Sequence, residues 1–261
     1  MSTTAPAEIL GRHNWSELMT TDVKGAEAFY RKVIGWTSEP FTGSPMPYTQ
    51  FKREGGSGVA GLMEKPAEIK MPPFWAMYIA VPDLSEAVAK IKKLGGSELS
   101  EVIPVKGVGR LQMVKDPQGA GFYVIQPDSH DNPPDRDPVV GEASWLELMT
   151  TDWRAAKAFY QELFGWQPSE AMEMGEAGTY QMFNRGTRTI GGMMNVPKEM
   201  SQVPPNWQIY FLVDDIDAAV KRITENGGKV VQGPMEVPGG DKVLNATDPQ
   251  GGHFALHAKK R

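Results

Sequence analysis

Cysteine is absent from the chain. That excludes disulfides, thiolate metal sites and a cysteine nucleophile, and it suits a reducing compartment. Histidine is scarce, with 4 in 261 residues, so any imidazole chemistry falls on His13, His130, His253 or His257. Positive charge is thin as well. The net charge is −5 and no basic cluster precedes the closing Lys-Lys-Arg, whereas a nucleic-acid partner calls for a basic footprint. No apolar run approaches a membrane span, and the opening residues MSTTAPAEILGRHNW lack the apolar core of a signal peptide. The expected protein is cytoplasmic, with a small molecule as partner and neither nucleic acid nor membrane. There is no Ser-His-Asp order, no nucleotide fingerprint and no phosphate loop, since GGSGVAG lacks the lysine and the helix that such a loop needs.

What is present is a repeat. Residues 15–36 read WSELMTTDVKGAEAFYRKVIGW and residues 145–166 read WLELMTTDWRAAKAFYQELFGW, identical at 13 of 22 positions. Each half therefore begins with the same unit. In both copies a residue-by-residue alternation reads as a strand, Asp22 or Asp152 as a helix N-cap, and Gly35 or Gly165 as a helix stop. Ala26, Phe29, Tyr30 and Val33 recur at helical spacing. The same grammar starts again at Trp75 and Trp207. Asp83 and Asp215 cap the following helices, Glu86 completes a capping box, and Gly95-Gly96 and Gly227-Gly228 end them. YTQFKR, GVAGLM, TYQMFN and TIGGMM read as strands between turns, and DPQGAGFYVI and DPQGGHFALH close the halves. Four βαβββ modules of α+β class follow. They divide into domains over 12–126 and 141–258, joined by a Pro-rich, charged linker over 127–140.

A strand ending in Thr/Val-x-Asp, a helix carrying FYxxxxGW and a closing strand introduced by DPxG, each used twice, resemble the vicinal oxygen chelate superfamily. That group includes glyoxalase I, bleomycin- and fosfomycin-resistance proteins and extradiol dioxygenases. The likeness spans residues 12–258 and is greatest to fused four-module members known as hydroxylases or glyoxalase-like antigens. It implies paired modules whose curved, half-open sheets surround a cavity. In metal-dependent members it also implies four inward His, Glu or Gln residues on one divalent ion.

Here the chain departs from that pattern. The opening-strand ligand positions hold Trp15, Ala76, Trp145 and Gln208, and the closing-strand glutamate is replaced by Tyr123 and Ala255. GVAGLM and TIGGMM contain neither His nor carboxylate. A lone neutral amide does not hold a divalent ion, so no cofactor is expected, although a divalent metal held by a rearranged set stays open.

A period of two along each strand then places Trp15 with Glu17, Trp145 with Glu147, Ala76 with Tyr78 and Gln208 with Tyr210 on common faces. Tyr123 shares a face with Ile125, and Ala255 with His253 and His257. Trp15, Tyr78, Tyr123, Trp145, Gln208 and Tyr210 are the candidate ligand-binding residues, since Trp and Tyr offer flat stacking faces. Glu17, Glu147 and His257 are the candidate catalytic residues, with His257 and Glu17 as an acid–base pair if the first and fourth modules share a cavity. The same glutamates could instead bind a buried Tyr hydroxyl. Three functions stay open: a metal-free binder of a small aromatic or carbonyl metabolite, an enzyme of glyoxalase, hydroxylase or dioxygenase type, and an interaction protein without ligand. A monomer and a homodimer are both compatible with four modules.

Overall fold

The structure, a computed structural model, describes residues 9–44, 46–129 and 136–260. His130 and the middle of the expected linker lie outside the described residues. The first module runs β1 (His13–Thr20), α1 (Val23–Val33), β2 (Thr37–Pro40), β3 (Tyr48–Lys52) and β4 (Gly58–Glu64). The second runs β5 (Phe74–Ala80), α2 (Leu84–Lys93), β6 (Ser97–Glu98), β7 (Ile103–Val105), β8 (Gly109–Lys115) and β9 (Gly121–Pro127). The third comprises β10 (Ala143–Thr150), α3 (Trp153–Phe164), β11 (Gln167–Glu173), β12 (Thr179–Arg185) and β13 (Arg188–Asn195). The fourth comprises β14 (Asn206–Leu212), α4 (Ile216–Glu225), β15 (Lys229–Glu236), β16 (Lys242–Thr247) and β17 (His253–Ala258).

The helices start where an aspartate relieves the unpaired amides of the first turn. Asp22 accepts from the Gly25 amide at 3.0 Å, Asp83 from Glu86 at 2.8 Å, Asp152 from Arg154 at 2.9 Å and Asp215 from Asp217 at 2.9 Å. Ala26, Phe29, Tyr30 and Val33 form the buried stripe of α1. Gly165 ends α3 with φ 71°, a conformation that only glycine adopts without a steric cost.

In every module the first strand pairs in parallel with the last: β1 with β4, β5 with β9, β10 with β13 and β14 with β17. The pairs β2–β3, β3–β4, β6–β8, β7–β8, β8–β9, β11–β12, β12–β13, β15–β16 and β16–β17 are antiparallel. The strand orders are β2-β3-β4-β1-β5-β9-β8-β6, with β7 on β8, and β11-β12-β13-β10-β14-β17-β16-β15. The expected α+β class with four βαβββ modules is what the chain adopts. No helix of the described residues is long and apolar enough to cross a membrane.

By packing, the chain gathers into two compact units, each of which draws on both halves. Unit 1 holds residues up to Asn14, Met77–Arg136 and Leu146–Trp207, and unit 2 holds Trp15–Ala76, Asp137–Trp145 and Gln208–Arg261. The core of each is an aromatic cluster around one tyrosine. In unit 2 the Tyr30 ring meets Trp75 at 5.2 Å and Phe254 at 5.4 Å. In unit 1 the Tyr160 ring meets Trp207 at 5.1 Å and Phe122 at 5.7 Å.

These tyrosines explain both recurrent motifs. Tyr30 donates its hydroxyl to Asp248 Oδ2 at 2.9 Å and accepts from Trp75 Nε1 at 3.0 Å. Tyr160 does the same with Asp116 at 3.0 Å and Trp207 at 3.0 Å. The other oxygen of each aspartate gathers the amides of its own DPQG turn: Gln118, Gly119 and Ala120 on Asp116, Gln250 and Gly252 on Asp248. The Gln118 side chain donates to the Asp152 carbonyl at 2.9 Å and so ties the same turn to the start of α3. Burial, then the neighbouring aspartate charge, raises both tyrosines well above the usual phenol range. Burial likewise raises Asp116 and Asp248, against the pull of their hydrogen bonds. A buried polar group left unpaired costs about 1–3 kcal/mol, so FY and DPQG are chiefly a polar latch inside an aromatic core.

Candidate functional site

The candidate surface starts from the burial pattern of β10. Ser144, Leu146, Leu148 and Thr150 are buried, while Trp145, Glu147 and Met149 are half-buried on the alternate face. On β1 the period of two puts Trp15, half-buried, on one face with Glu17 and Met19, although there every residue from Ser16 to Thr20 is buried. Register fixes what lies beside them. Glu17 stands opposite Gly61 and Met19 opposite Met63, just as Glu147 stands opposite Gly192 and Met149 opposite Met194.

The two glycines make room for a tyrosine ring to lie across the strand. A Cβ on Gly61 would fall 1.7 Å from Tyr48 Oη, and one on Gly192 would fall 2.2 Å from the Tyr180 ring. Lying there, Tyr180 donates its hydroxyl to Glu147 Oε2 at 2.9 Å. Tyr48 hydrogen-bonds Glu17 in the same way and accepts from Trp15 Nε1 at 2.8 Å. Burial and then the Glu17 charge push the Tyr48 phenol far above its usual range, so it stays a donor. The sequence reading named the glutamates and tryptophans and allowed a Tyr hydroxyl as partner. It did not find Tyr48, Tyr180, Gly61 or Gly192. The signal available was a glycine facing a glutamate across a parallel strand pair, which becomes visible only once the register is known.

The remaining predicted residues fall into separate groups. Tyr78 and Tyr123 sit opposite one another on β5 and β9 and stack at 4.4 Å with planes 5° apart, both almost fully buried. Tyr210 is buried opposite Ala255, and its carbonyl accepts from the Ser144 hydroxyl at 3.1 Å. Gln208 is half-buried, and His253 is exposed at the start of β17.

His257 does not form the expected pair with Glu17, because both ring nitrogens are taken. Nδ1 lies 3.0 Å from Ser144 Oγ and Nε2 lies 2.8 Å from Asp241 Oδ2. Burial raises Asp241, but the Lys260 amide, the His257 hydrogen bond and the charges of His257 and Lys259 bring it below the usual carboxylate range. This trio is not an activated serine. Its connectivity is reversed: Asp241 holds Nε2, the ring nitrogen that faces the nucleophile in a Ser-His-Asp triad, and Ser144 lies on Nδ1 and beside the Tyr210 carbonyl. Among the described residues no group of three or more His, Cys, Asp or Glu lies close enough to hold a metal ion.

Comparison with known proteins bears on this geometry. A family model described as "Glyoxalase/Bleomycin resistance protein/Dioxygenase superfamily" matches residues 12–124 and 143–256. The chain is 32% identical over 253 residues to the "Putative glyoxylase CFP32" of Mycobacterium bovis, covering 94% of each protein. It is 28% identical over 267 residues to the "Anthracycline biosynthesis protein DauV" of a Streptomyces species, covering 94% of this chain and 92% of that one. Among solved structures, the 2,3-dioxygenase LapB from Pseudomonas sp. KL28 superposes with a TM-score of 0.68 over 97% of this chain and 94% of its own. The identity to it is 15%, so that likeness is one of fold alone.

Proposed function

Given that this chain belongs to the glyoxalase/bleomycin resistance protein/dioxygenase superfamily, we propose that it binds a small aromatic or carbonyl metabolite without a resident divalent ion. The observation that carries this is the carboxylate held by a tyrosine hydroxyl over a glycine floor beside half-buried tryptophan, built twice. Such a face offers a flat apolar surface with one fixed acceptor, the composition of a small-molecule site. The donor set does not fit the ion that the family resemblance implies. The two glutamates are each engaged by a phenol and both nitrogens of His257 are occupied, which speaks against Glu17, Gln208 and His257 sharing one ion. The name of the Streptomyces relative, tied to anthracycline biosynthesis, supports a planar ring system as ligand.

The same face supports a second reading, in which the glutamate acts as a general base on a bound carbonyl compound and the tyrosine holds it in place. The glyoxylase name of the Mycobacterium relative favours it.

Elemental mass spectrometry on protein purified without chelator or affinity nickel, followed by a thermal-shift screen of aromatic metabolites, tests the proposal. Metal at background with stabilisation by planar donors is the expected result. A near-stoichiometric metal signal would overturn it.

A further inference from the structure

The two copies of the glutamate–tyrosine face are not equally open. In the copy on β1, Glu17 is 5% exposed, Met19 3% and Met63 8%. In the copy on β10, the equivalent Glu147, Met149 and Met194 are all half-buried. The difference holds at three register-matched positions, the glutamate and the two methionines, while the tyrosines differ the other way, Tyr180 being 8% exposed and Tyr48 half-buried. The chemistry differs at one further position. Gln50 stands opposite Gly61 on β3, where Met182 stands opposite Gly192 on β12.

Resting on the binding reading above, we infer that the Glu147 copy, whose glutamate, tyrosine, glycine and methionines all belong to unit 1, is the one that takes ligand. Its ligand is a neutral planar ring carrying a hydroxyl or N–H donor. An ionised carboxylate offers only acceptor sites, so it selects a group that donates to it. Tyr180 donates to Oε2 at 2.9 Å and so fixes the rotamer of the half-buried carboxylate. Met149, Met182 and Met194 surround that position, and methionine's flexible thioether moulds to flat rings and makes favourable sulfur–aromatic contacts. The closed copy keeps the same relay, from Trp15 through Tyr48 to Glu17, as an internally satisfied element of the sheet.

The test uses the full chain labelled with carbon-13 at its methionine methyls and titrated with 2-naphthol, each signal assigned by a Met→Leu variant. The Met149, Met182 and Met194 signals are expected to shift while Met19 and Met63 stay in place. Glu147→Gln should weaken the apparent Kd about tenfold or more, since a hydrogen bond to a charged group contributes about 1.5–3 kcal/mol. The methyl spectrum of the unliganded variant reports whether it is folded. Replacing the hydroxyl by a carboxylate, with 2-naphthoate as probe, should weaken binding to wild type by at least as much, and this arm needs no variant. Shifts at Met19 or Met63, unchanged affinity in folded Glu147→Gln, or equal affinity for 2-naphthoate would overturn this assignment and leave the binding reading standing. No methyl shift anywhere up to about 1 mM probe would overturn both.

Discussion

The two units share their latch and differ in their polar extras. Tyr160, Asp116 and Trp207 in unit 1 superimpose in role on Tyr30, Asp248 and Trp75 in unit 2, with hydrogen bonds between 2.9 and 3.0 Å throughout. Beyond the latch, unit 1 has a stacked tyrosine pair where unit 2 has Tyr210 opposite alanine, and only unit 2 has the Ser144–His257–Asp241 trio. What is needed to hold a module against its counterpart is kept in duplicate. What faces outward from the latch has been free to diverge.

The largest effect should come from the shared part. Asp116→Ala and Asp248→Ala each strand a buried tyrosine hydroxyl and two or more turn amides, and each should lower unfolding free energy by about 3–5 kcal/mol in guanidinium titrations. Similar losses from the two are expected, and a silent variant would show that the latch matters in one unit only. Next, Gly192→Ala and Gly61→Ala force a methyl into a tyrosine ring, which should cost about 1–3 kcal/mol. In the Gly192 variant 2-naphthol binding should also fall. Trp36→Phe and Trp166→Phe remove indole bonds of 2.8 Å to the Gly141 and Gly11 carbonyls, and each should cost about 1–2 kcal/mol by thermal unfolding.

The smallest effect separates the units by pH. Asp241 is held below its ordinary range, so its contribution is present above the unfolded value of about 3.9 and is lost as pH falls through the folded-state value. Asp116 and Asp248 are raised, so theirs has the opposite sign: it is full in acid and fades as pH rises through the folded-state value. Asp241→Asn should cost at most about 1 kcal/mol at neutral pH, given its partial exposure, and should flatten the acid limb of the stability curve. An unchanged acid limb would remove the trio from the pH response.

Local signals were legible in the sequence and distant ones were not. Asp22, Asp83, Asp152 and Asp215 could be read as caps because a cap and the apolar stripe it precedes lie within one turn. The strand alternation placed Trp145 and Glu147 on one face correctly. Tyr48 was missed as the partner of Glu17 because a strand's period tells which way a side chain points, not which strand comes to lie beside it. Asp241 was missed for the same reason, as it sits in a glycine-rich turn that says nothing of the histidine it meets. The DPQG aspartates carry both kinds of signal. Their turn amides are local, while their tyrosines arrive from another module.

That last pairing sets an order of events during synthesis. Tyr160 follows Asp116 by 44 residues, whereas Tyr30 waits 218 residues for Asp248. At a ribosomal pace of about 5–20 residues per second, unit 1 has all its strands once Trp207 has emerged. Tyr30, by contrast, stays without its acceptor for roughly 10–40 s. The apolar face of α1 must spend that interval unburied by Phe254 or sheltered by something else, so the first module made is among the last to be finished.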